Sequence, residues 1–364
     1  MRVVIAPDSF KGSISAAGAA AALADGWRRA RPHDNVIELP LADGGEGTLA
    51  VLGAAAPAAC WHSADVSGPG DGQVTARWLD LAGNVAAIEL ASAAGLTLLS
   101  ELRPLDAHSY GVGELIGRAL DAGSRRIVVA LGGSACTDGG SGALAALGAR
   151  FLDEAGLELP RGGGALSRLA MVDLSGLRRP PHGGVECLTD VRAPLLGPAG
   201  AAAVFGPQKG AGRGDIAVLE AGLARLAELL GGDPTQPGAG AAGGCGYGLA
   251  ACWGARLLPG APEIAAIAGL PAALAGAGLV ITGEGQYDLT SVVGKVTGTV
   301  CAAAARAGIP AAVVAGILAA QPPTGVRGIE LAALAGGKDR AVGEAAHWLA
   351  AAAGELAGNL AEGG

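Results

Sequence analysis

Short, uninterrupted apolar runs alternate with helical patterns at both ends of this sequence. Val3–Ala6 and Val36–Leu39 are strand-like runs, and between them lies an Ala-rich helical pattern that Ser15 can cap. The same alternation returns around Leu279–Thr282 and Pro310–Ala315. Parallel strands need helical crossovers and are buried on both faces, so their sequences are apolar throughout. The pattern therefore predicts an open, parallel α/β sheet.

The middle of the chain is organised differently. Residues 63–100 contain short strand patterns and turns, and Asp215–Leu230 is a helical pattern with one apolar face. We predict two α/β domains. The first is a Rossmann-like open parallel sheet built from both chain ends, residues 1–62 plus 284–364, and the second is an α/β domain inserted as residues 63–283.

The composition excludes several classes of protein. Hydrophobic residues make up 51% and charged residues 16% of the 364 positions, which is unlike a disordered chain. The net charge is −8 and there is no basic block, so nucleic-acid binding is not expected. Residues 264–283 carry no charge, but they are rich in Ala and contain Pro271. This stretch predicts a short buried helix followed by a buried strand rather than a membrane span.

The N-terminus and the cysteines indicate a cytoplasmic protein. Pro7 and Asp8 follow the first apolar run directly, which is unlike a signal peptide. None of the six cysteines forms a C-x-x-C pair, and the five histidines show no metal spacing. We therefore expect reduced thiols, no zinc site and no membrane partner.

Polar loops follow the strand-like runs, and each contains a carboxylate. Ligands of open α/β sheets bind at such loops, because the carboxyl ends of parallel strands meet at one edge of the sheet. The strongest phosphate candidate is the stretch 132–142, which has five glycines and lies between a strand and a helix. The loops are 6–11, 42–48, 132–140, 188–192 and 282–285.

Lysine is scarce in this chain, and its positions are informative. Only four of the 25 basic residues are Lys, at positions 11, 209, 295 and 338. The segment 283–295, predicted to be a loop, combines Glu284, Asp288 and Lys295, a set that suits Mg²⁺ and phosphate chemistry. The segment 205–210, FGPQKG, is a second cationic loop.

Other catalytic motifs are absent from the sequence or lack their context. There is no Walker A motif and no G-x-S-x-G elbow. A G-x-G-x-x-G match occurs at 238–243, but it does not follow a strand-like run and has no acidic partner at the expected spacing.

Long motifs of the chain resemble the bacterial glycerate kinases that phosphorylate D-glycerate. They occur in order between residues 6 and 295 and include APDSFKGS (6–13), ADGGEGT (42–48), GGSACTDGGSGALAALG (132–148), VFGPQKGA (204–211) and TGEGQYDLTSVVGK (282–295). The resemblance implies ATP- and Mg²⁺-dependent transfer of a phosphoryl group to a hydroxyl of glycerate, with 2-phosphoglycerate as the product. It also implies a two-domain kinase with its site in the cleft between the domains.

We assign expected roles to residues of these motifs. The expected catalytic residues are Asp190, Lys295, Lys11, Asp8 and Asp43. The expected substrate-binding residues are Ser9, Arg192, Glu46 and Lys209. The expected nucleotide-binding residues are Gly132, Gly133, Ser134, Asp138 and Gly139. The expected metal ligands are Glu284 and Asp288.

Asp190 is our preferred general base, because it stands alone at a strand end beside Arg192, which could hold the substrate carboxylate through two hydrogen bonds. A kinase that forms 3-phosphoglycerate remains an alternative. Two less favoured alternatives are an NAD-dependent oxidoreductase that uses residues 238–243 and a non-catalytic anion-binding protein. The substrates would be glycerate and a nucleotide, and a homodimer is possible.

Overall fold

The computed structural model describes residues 1–293 and 295–359. The strands are β1 (Arg2–Ile5), β2 (Asn35–Glu38), β3 (Cys60–Ser67), β4 (Gln73–Leu81), β5 (Val85–Glu89), β6 (Arg126–Ala130), β7 (Arg150–Leu152), β8 (Met171–Asp173), β9 (Val185–Leu188), β10 (Arg256–Leu258), β11 (Leu279–Tyr287), β12 (Ala311–Leu318) and β13 (Arg327–Glu330). The helices are α1 (Ala16–Ala30), α2 (Thr48–Ala55), α3 (Ala91–Ala94), α4 (Tyr110–Asp121), α5 (Ser141–Ala146), α6 (Ala201–Phe205), α7 (Arg213–Leu230), α8 (Cys245–Trp253), α9 (Gly260–Ile267), α10 (Leu270–Leu274), α11 (Leu289–Val293), α12 (Val296–Ala307), α13 (Leu331–Ala335), α14 (Lys338–Gly343) and α15 (Ala345–Asn359). Short 3₁₀ segments occur at Leu96–Leu98, Gly163–Arg168, Pro207–Lys209 and Ala241–Gly244.

The chain forms two compact units, both of the α/β type. The first unit consists of Met1–Asp43, Ala50–Ala56 and Gly260–Gly364. The second unit consists of Gly44–Leu49 and Pro57–Pro259. The predicted fold class, two α/β domains with one built from both chain ends, is confirmed.

The sheet of the first unit is parallel throughout and has the strand order β13-β12-β11-β1-β2. Val3 and Ile5 pack on one face with α1 and α15, and Val4 packs on the other face with α12. Ser15 caps α1, as the sequence predicted, by accepting a hydrogen bond from the Gly18 N–H at 3.2 Å. This two-sided burial explains the continuous apolar strands.

Strand β11 is longer than the sequence analysis predicted. The predicted strand ends at Thr282, whereas β11 continues to Tyr287 and pairs with β12 as far as Leu318. The glycines within GEGQY indicated a loop, but a Cβ at Gly283 would lie only 2.0 Å from the Val314 carbonyl oxygen. Glycine here permits close approach of two strands. The loop prediction for 283–295 is therefore wrong at 283–287, which are part of β11, and at Leu289–Val293, which form α11.

The second unit contains a mixed six-stranded sheet with the order β10-β9-β6-β5-β4-β3. Strands β10, β9, β6 and β5 are parallel, whereas β4 and β3 are antiparallel. A separate two-stranded sheet pairs β7 with β8. The core of this unit is built mostly from small and aliphatic side chains, in keeping with an aromatic content of only 3%.

The limits of the two units differ from the domain limits predicted from the sequence. The predicted limit between residues 283 and 284 falls inside β11, and the structure places Gly260 at the start of the last segment of the first unit. On the N-terminal side, β3 belongs to the second unit because it pairs with β4 along its whole length. The short loop Gly44–Leu49 also belongs to the second unit.

In the residues that the structure describes, no helix is both long and apolar enough to cross a lipid bilayer. The uncharged stretch 264–283 contains the second half of α9, then α10, and then the beginning of β11. It therefore contains parts of two short helices and a buried strand, close to the single helix and strand predicted for it.

Candidate active site

A cavity of about 300 Å³ lies at the carboxyl end of the sheet in the first unit. Its walls are formed by residues that follow β1 and β2, by the later part of β11, by β12 and by the helices α13 to α15. Parallel strands end at the same edge of a sheet, which brings loops that are distant in sequence together. Its charged and hydroxyl-bearing lining residues are Asp8, Ser9, Lys11, Ser13, Asp43, Glu284, Lys295 and Lys338.

Asp8 is a buried carboxylate whose proton affinity is strongly changed. Burial and repulsion by Asp43 raise the pKa of Asp8 from 3.8 to about 7. The Ser9 N–H donates a hydrogen bond to Asp8 Oδ1 at 2.6 Å and, with Lys11, opposes this shift. A carboxyl group with a pKa near 7 changes its charge in the physiological range, which makes Asp8 a candidate acid or base.

Glu284 is a second buried carboxylate in the cavity wall. Burial raises its pKa, while Lys295 and the hydroxyls of Thr297 and Ser291 oppose the shift. Lys295 Nζ lies 3.8 Å from Glu284 Oε2. Glu284 Oε1 is buried and makes no hydrogen bond to any of the described residues. A buried carboxylate oxygen that lines a cavity and has no hydrogen bond from the described residues is suited to a cation or a donor group of a ligand.

The candidate metal site rests on Glu284 and is not a preformed cage. Among residues 1–293 and 295–359, no group of three or more His, Cys, Asp or Glu side chains could hold a metal ion. Mg²⁺ usually takes one or two carboxylates and completes its shell with water and phosphate oxygens, so Glu284 fits this ion without a cage. Asp288 does not line the cavity. Its carboxylate accepts hydrogen bonds from Thr290 and Ser291 at the start of α11.

Three of the four lysines in the chain line this cavity. Lys11 is largely exposed, and its Nζ lies 3.9 Å from Asp43 Oδ2. Lys295 immediately precedes α12, and Lys338 begins α14. Sequence reasoning assigned no role to Lys338, although the scarcity of lysine was a signal that could have singled it out.

The pKa of Asp8 predicts a pH-dependent effect of the substitution Asp8→Asn on stability. The unfolded carboxyl ionises near pH 4 and the folded one near pH 7, so wild-type stability falls as the pH rises between these values. Asn is similar in shape and does not ionise. We therefore compare the melting temperature of Asp8→Asn with that of wild type at each pH. The difference, variant minus wild type, is expected to increase by a few degrees between pH 4.5 and pH 8, because only wild type loses stability when Asp8 ionises. A difference that stays constant with pH, measured by calorimetry on both proteins, contradicts this expectation.

The Gly-rich loop 132–142 lies in the second unit, between β6 and α5, as the sequence predicted. Its centre is Asp138, which is fully buried. Asp138 accepts hydrogen bonds from the N–H and the hydroxyl of Ser109, both at 2.8 Å, and from the N–H groups of Gly140 and Gly142. The Ser109 hydroxyl in turn accepts one from the Ala143 N–H at 2.9 Å. The amides at the start of α5 therefore already have partners within the chain.

Lys209 lies beneath the same loop. Its side chain is buried, with 2% of the residue exposed. Its Nζ donates hydrogen bonds to Ser134 Oγ at 3.0 Å, to the Cys136 carbonyl at 2.5 Å and, more weakly, to Thr137 Oγ1 at 3.5 Å. Burial lowers the pKa of Lys209, and Cys136 and Asp138 act in the opposite direction. Within the second unit, Lys209 thus connects two parts of the loop by hydrogen bonds. One is Ser134, next to the exposed Gly133, and the other is the buried Cys136.

The other predicted residues of the second unit lie on exposed segments. Asp190 and Arg192 are exposed and follow β9. Glu46 is exposed in a loop that Glu89 holds, because Glu89 accepts hydrogen bonds from the Gly47 and Leu49 N–H groups. Glu89 and Ser109 are polar groups with a clear structural task that sequence reasoning missed. The partners of these two side chains are 29 to 42 residues away, so no local pattern indicates them.

The G-x-G-x-x-G match at 238–243 lies between α7 and α8 and overlaps the 3₁₀ segment Ala241–Gly244. The strand that precedes it in the chain, β9, ends fifty residues earlier at Leu188. A Cβ at Gly243 would lie 2.2 Å from the Cys136 carbonyl oxygen, so this glycine serves close packing. The strand–turn–helix setting of a dinucleotide fingerprint is therefore missing.

Each unit brings part of the predicted set together. Six predicted residues line the cavity of the first unit. They are Asp8, Ser9, Lys11, Asp43, Glu284 and Lys295. The others, apart from Asp288, belong to the second unit, where Lys209 and Asp138 surround one loop. The roles of all these residues remain predictions.

A charged cavity at the carboxyl ends of parallel strands is typical of α/β proteins that bind small molecules at the edge of the sheet. Comparison with known proteins makes this class specific. Residues 3–360 match the model of the glycerate kinase family. The chain therefore belongs to the glycerate kinase family and is a kinase that acts on small molecules, one of which is a nucleotide.

Individual relatives agree with the family match. The chain is 42% identical over 325 residues to a glycerate kinase of Bacillus subtilis (strain 168), which covers 87% of this chain and 85% of that protein. It is 43% identical over 305 residues to the glycerate 2-kinase of Escherichia coli (strain K12), with 81% and 80% covered. A crystal structure assigned to glycerate kinase 2 of Salmonella typhimurium LT2 superposes with a TM-score of 0.85 at 39% identity and covers 100% of this chain and 99% of that one.

Proposed function

We propose that this chain transfers the γ-phosphoryl group of ATP to the 2-hydroxyl of D-glycerate and releases 2-phosphoglycerate and ADP. The observation that carries the proposal is the cavity of the first unit, which combines three carboxylates with three lysines. Phosphoryl transfer depends on positioning and on neutralising negative charge, and these residue types supply both. The name of the Escherichia coli relative, glycerate 2-kinase, supports the choice of hydroxyl.

Asp8 is the base that the electrostatics favour. A general base works best when its pKa lies near the working pH, and burial together with Asp43 raises the pKa of Asp8 to about 7. In this role Asp8 Oδ accepts the proton of the glycerate hydroxyl as that oxygen attacks the γ-phosphorus. Asp190, the base preferred from the sequence, is exposed at the end of β9 and remains the alternative.

The variants Asp8→Asn and Asp190→Asn separate the two bases. Loss of the true base is expected to lower kcat by about 10²–10⁴-fold and to remove the acidic limb of the pH profile of kcat/KM. If Asp190→Asn produces both effects while Asp8→Asn leaves the acidic limb in place, Asp190 is the base.

The cations have complementary tasks in this proposal. Lys295 and Lys11 would hold the transferring phosphoryl group and neutralise its charge. Glu284, whose Oε1 is buried and makes no hydrogen bond to the described residues, would hold Mg²⁺, and the ion would supply positive charge that neutralises the phosphates. In the second unit, Arg192 is a candidate for the glycerate carboxylate, because its guanidinium matches a carboxylate in a two-bond geometry.

The product is tested by two linked assays. ADP release from MgATP is measured with D-glycerate, and the isolated product is then offered to enolase alone. We expect glycerate-dependent ADP release and direct consumption of the product by enolase. A product that enolase ignores would identify 3-phosphoglycerate, the second candidate. No glycerate-dependent ADP release would refute the proposal. Membership of a kinase family favours phosphoryl transfer over a nicotinamide-dependent reaction or binding without turnover.

A further inference from the structure

The cavity of the first unit has two chemically different walls. One wall is charged and is described above. The other consists of apolar lining residues and contains no titratable group, and we call it the apolar wall. It is formed by Phe10, Ile317, Leu331, Ala341, Val342 and Ala345.

Glycerate alone does not account for the apolar wall. It is a three-carbon acid with two hydroxyls, and nearly all of its surface is polar. The cavity volume of about 300 Å³ lies at the lower end of the range for ligand pockets, which are mostly apolar and bind molecules larger than a three-carbon acid. A nucleotide has the required combination, because a flat, largely apolar base is joined through ribose to a chain of phosphates.

The arrangement of charge agrees with a nucleotide at this position. Lys11, Lys295 and Lys338 line the same cavity as the apolar wall, so one molecule can contact both. In the second unit, by contrast, the amides at the start of α5 are already bound by Asp138 and Ser109. Those amides would have to exchange these partners before they could hold a phosphate.

From this juxtaposition we propose that the cavity of the first unit is the nucleotide site, with the base against Ile317, Leu331 and Val342 and the phosphates toward the lysines. The assignment rests on the proposed kinase function and deepens it. It places the base in a unit other than the one that contains the Gly-rich loop. It also gives Lys338 a task, contact with the phosphate chain from the start of α14.

The substitution Val342→Trp tests this assignment. Val342 lines the cavity but is 46% exposed, so a larger side chain can narrow the apolar wall without entering the core. We expect the Kd for MgADP, measured by calorimetry, and the KM for MgATP to rise by about tenfold, as overpacking of a binding surface does. The KM for D-glycerate and the competition by inorganic tripolyphosphate, which has no base, should change less than about twofold.

The control is Val218→Trp, which places the same side chain on α7 of the second unit at a position that is 37% exposed. It should leave all four values unchanged. If Val342→Trp lowers the melting temperature, Ile317→Ala is measured in its place, because it removes contact area from the same wall. Ile317→Ala should weaken MgADP binding and spare tripolyphosphate.

The outcomes separate this inference from the proposed function. Unchanged MgADP binding in both variants together with a raised KM for glycerate would overturn the inference and assign the wall to the acid. If wild type binds MgADP and the variants lose it, but no ADP is released with glycerate, the nucleotide site stands and the proposed acceptor is wrong.

Discussion

Asp138→Ala is expected to lower the free energy of unfolding by about 3–5 kcal/mol, because it removes the carboxylate at the centre of a buried hydrogen-bond network. Asp138 is fully buried and accepts four hydrogen bonds from Ser109, Gly140 and Gly142. Its removal leaves these donors without an acceptor, and each buried unsatisfied group costs about 1–3 kcal/mol. It also removes the carboxylate that interacts with the buried ammonium of Lys209.

The measurement is urea unfolding followed by circular dichroism on wild type and variant. Asp65→Ala is the matched control, since Asp65 is an exposed aspartate of the same unit that accepts one hydrogen bond from the Thr75 hydroxyl. It should lose no more than about 1 kcal/mol. Asp138→Asn, which keeps the shape and one acceptor oxygen, should fall between the two. Equal losses for Asp138→Ala and Asp65→Ala would mean that the network contributes little to stability.

Lys295→Ala is expected to lower kcat by about 10²–10³-fold, in line with the loss of one preorganised donor to developing transition-state charge. Lys295 lines the cavity, its side chain is 26% exposed, and its Nζ lies 3.8 Å from Glu284 Oε2. In the free protein the ammonium is therefore held near the carboxylate and does not have to be ordered when the substrates bind. Such preorganisation is what makes a charge effective in catalysis.

The control for Lys295→Ala is Arg306→Ala, which removes a cation from the last turn of α12, the helix that Lys295 precedes. It should leave kcat and both KM values unchanged. Steady-state rates at saturating MgATP and D-glycerate separate the possible roles of Lys295. A raised KM with unchanged kcat would show that Lys295 binds the ground state and the transition state equally, and its proposed role in catalysis would be wrong.

The architecture could be predicted from local patterns, because burial on both faces leaves a direct mark on a parallel strand. Val3–Ala6 and Pro310–Ala315 are apolar runs of the length of a strand, and both correspond to strands of one sheet in the structure. The end of β11 could not be predicted in this way. Gly283 is permissive in a turn and also lets two strands approach closely, and only the position of the Val314 carbonyl decides between these uses.

For the candidate site, too, some features could be predicted from the sequence and others depend on the tertiary structure. The residue types and their motifs could be identified from the sequence. Five residues singled out in this way line one cavity in the structure, namely Asp8, Lys11, Asp43, Glu284 and Lys295. Their properties are not. Asp8 and Asp288 are both aspartates in polar loops, yet burial and Asp43 raise the pKa of Asp8, while hydrogen bonds from Thr290 and Ser291 lower that of Asp288. A pKa depends on neighbours that come from other strands.

By itself, the sequence determined the fold class, the family and the set of polar loops that carry the chemistry, because each of these is written in contiguous residues. Only the tertiary structure decided which loops share a cavity and which glycines serve packing. It also decided that Asp138 and Lys209 form the buried support of the Gly-rich loop. These properties depend on contacts between residues that are distant in sequence, by 34 positions for Ser109 and Ala143 and by 276 for Ala6 and Thr282, and no local pattern encodes such contacts.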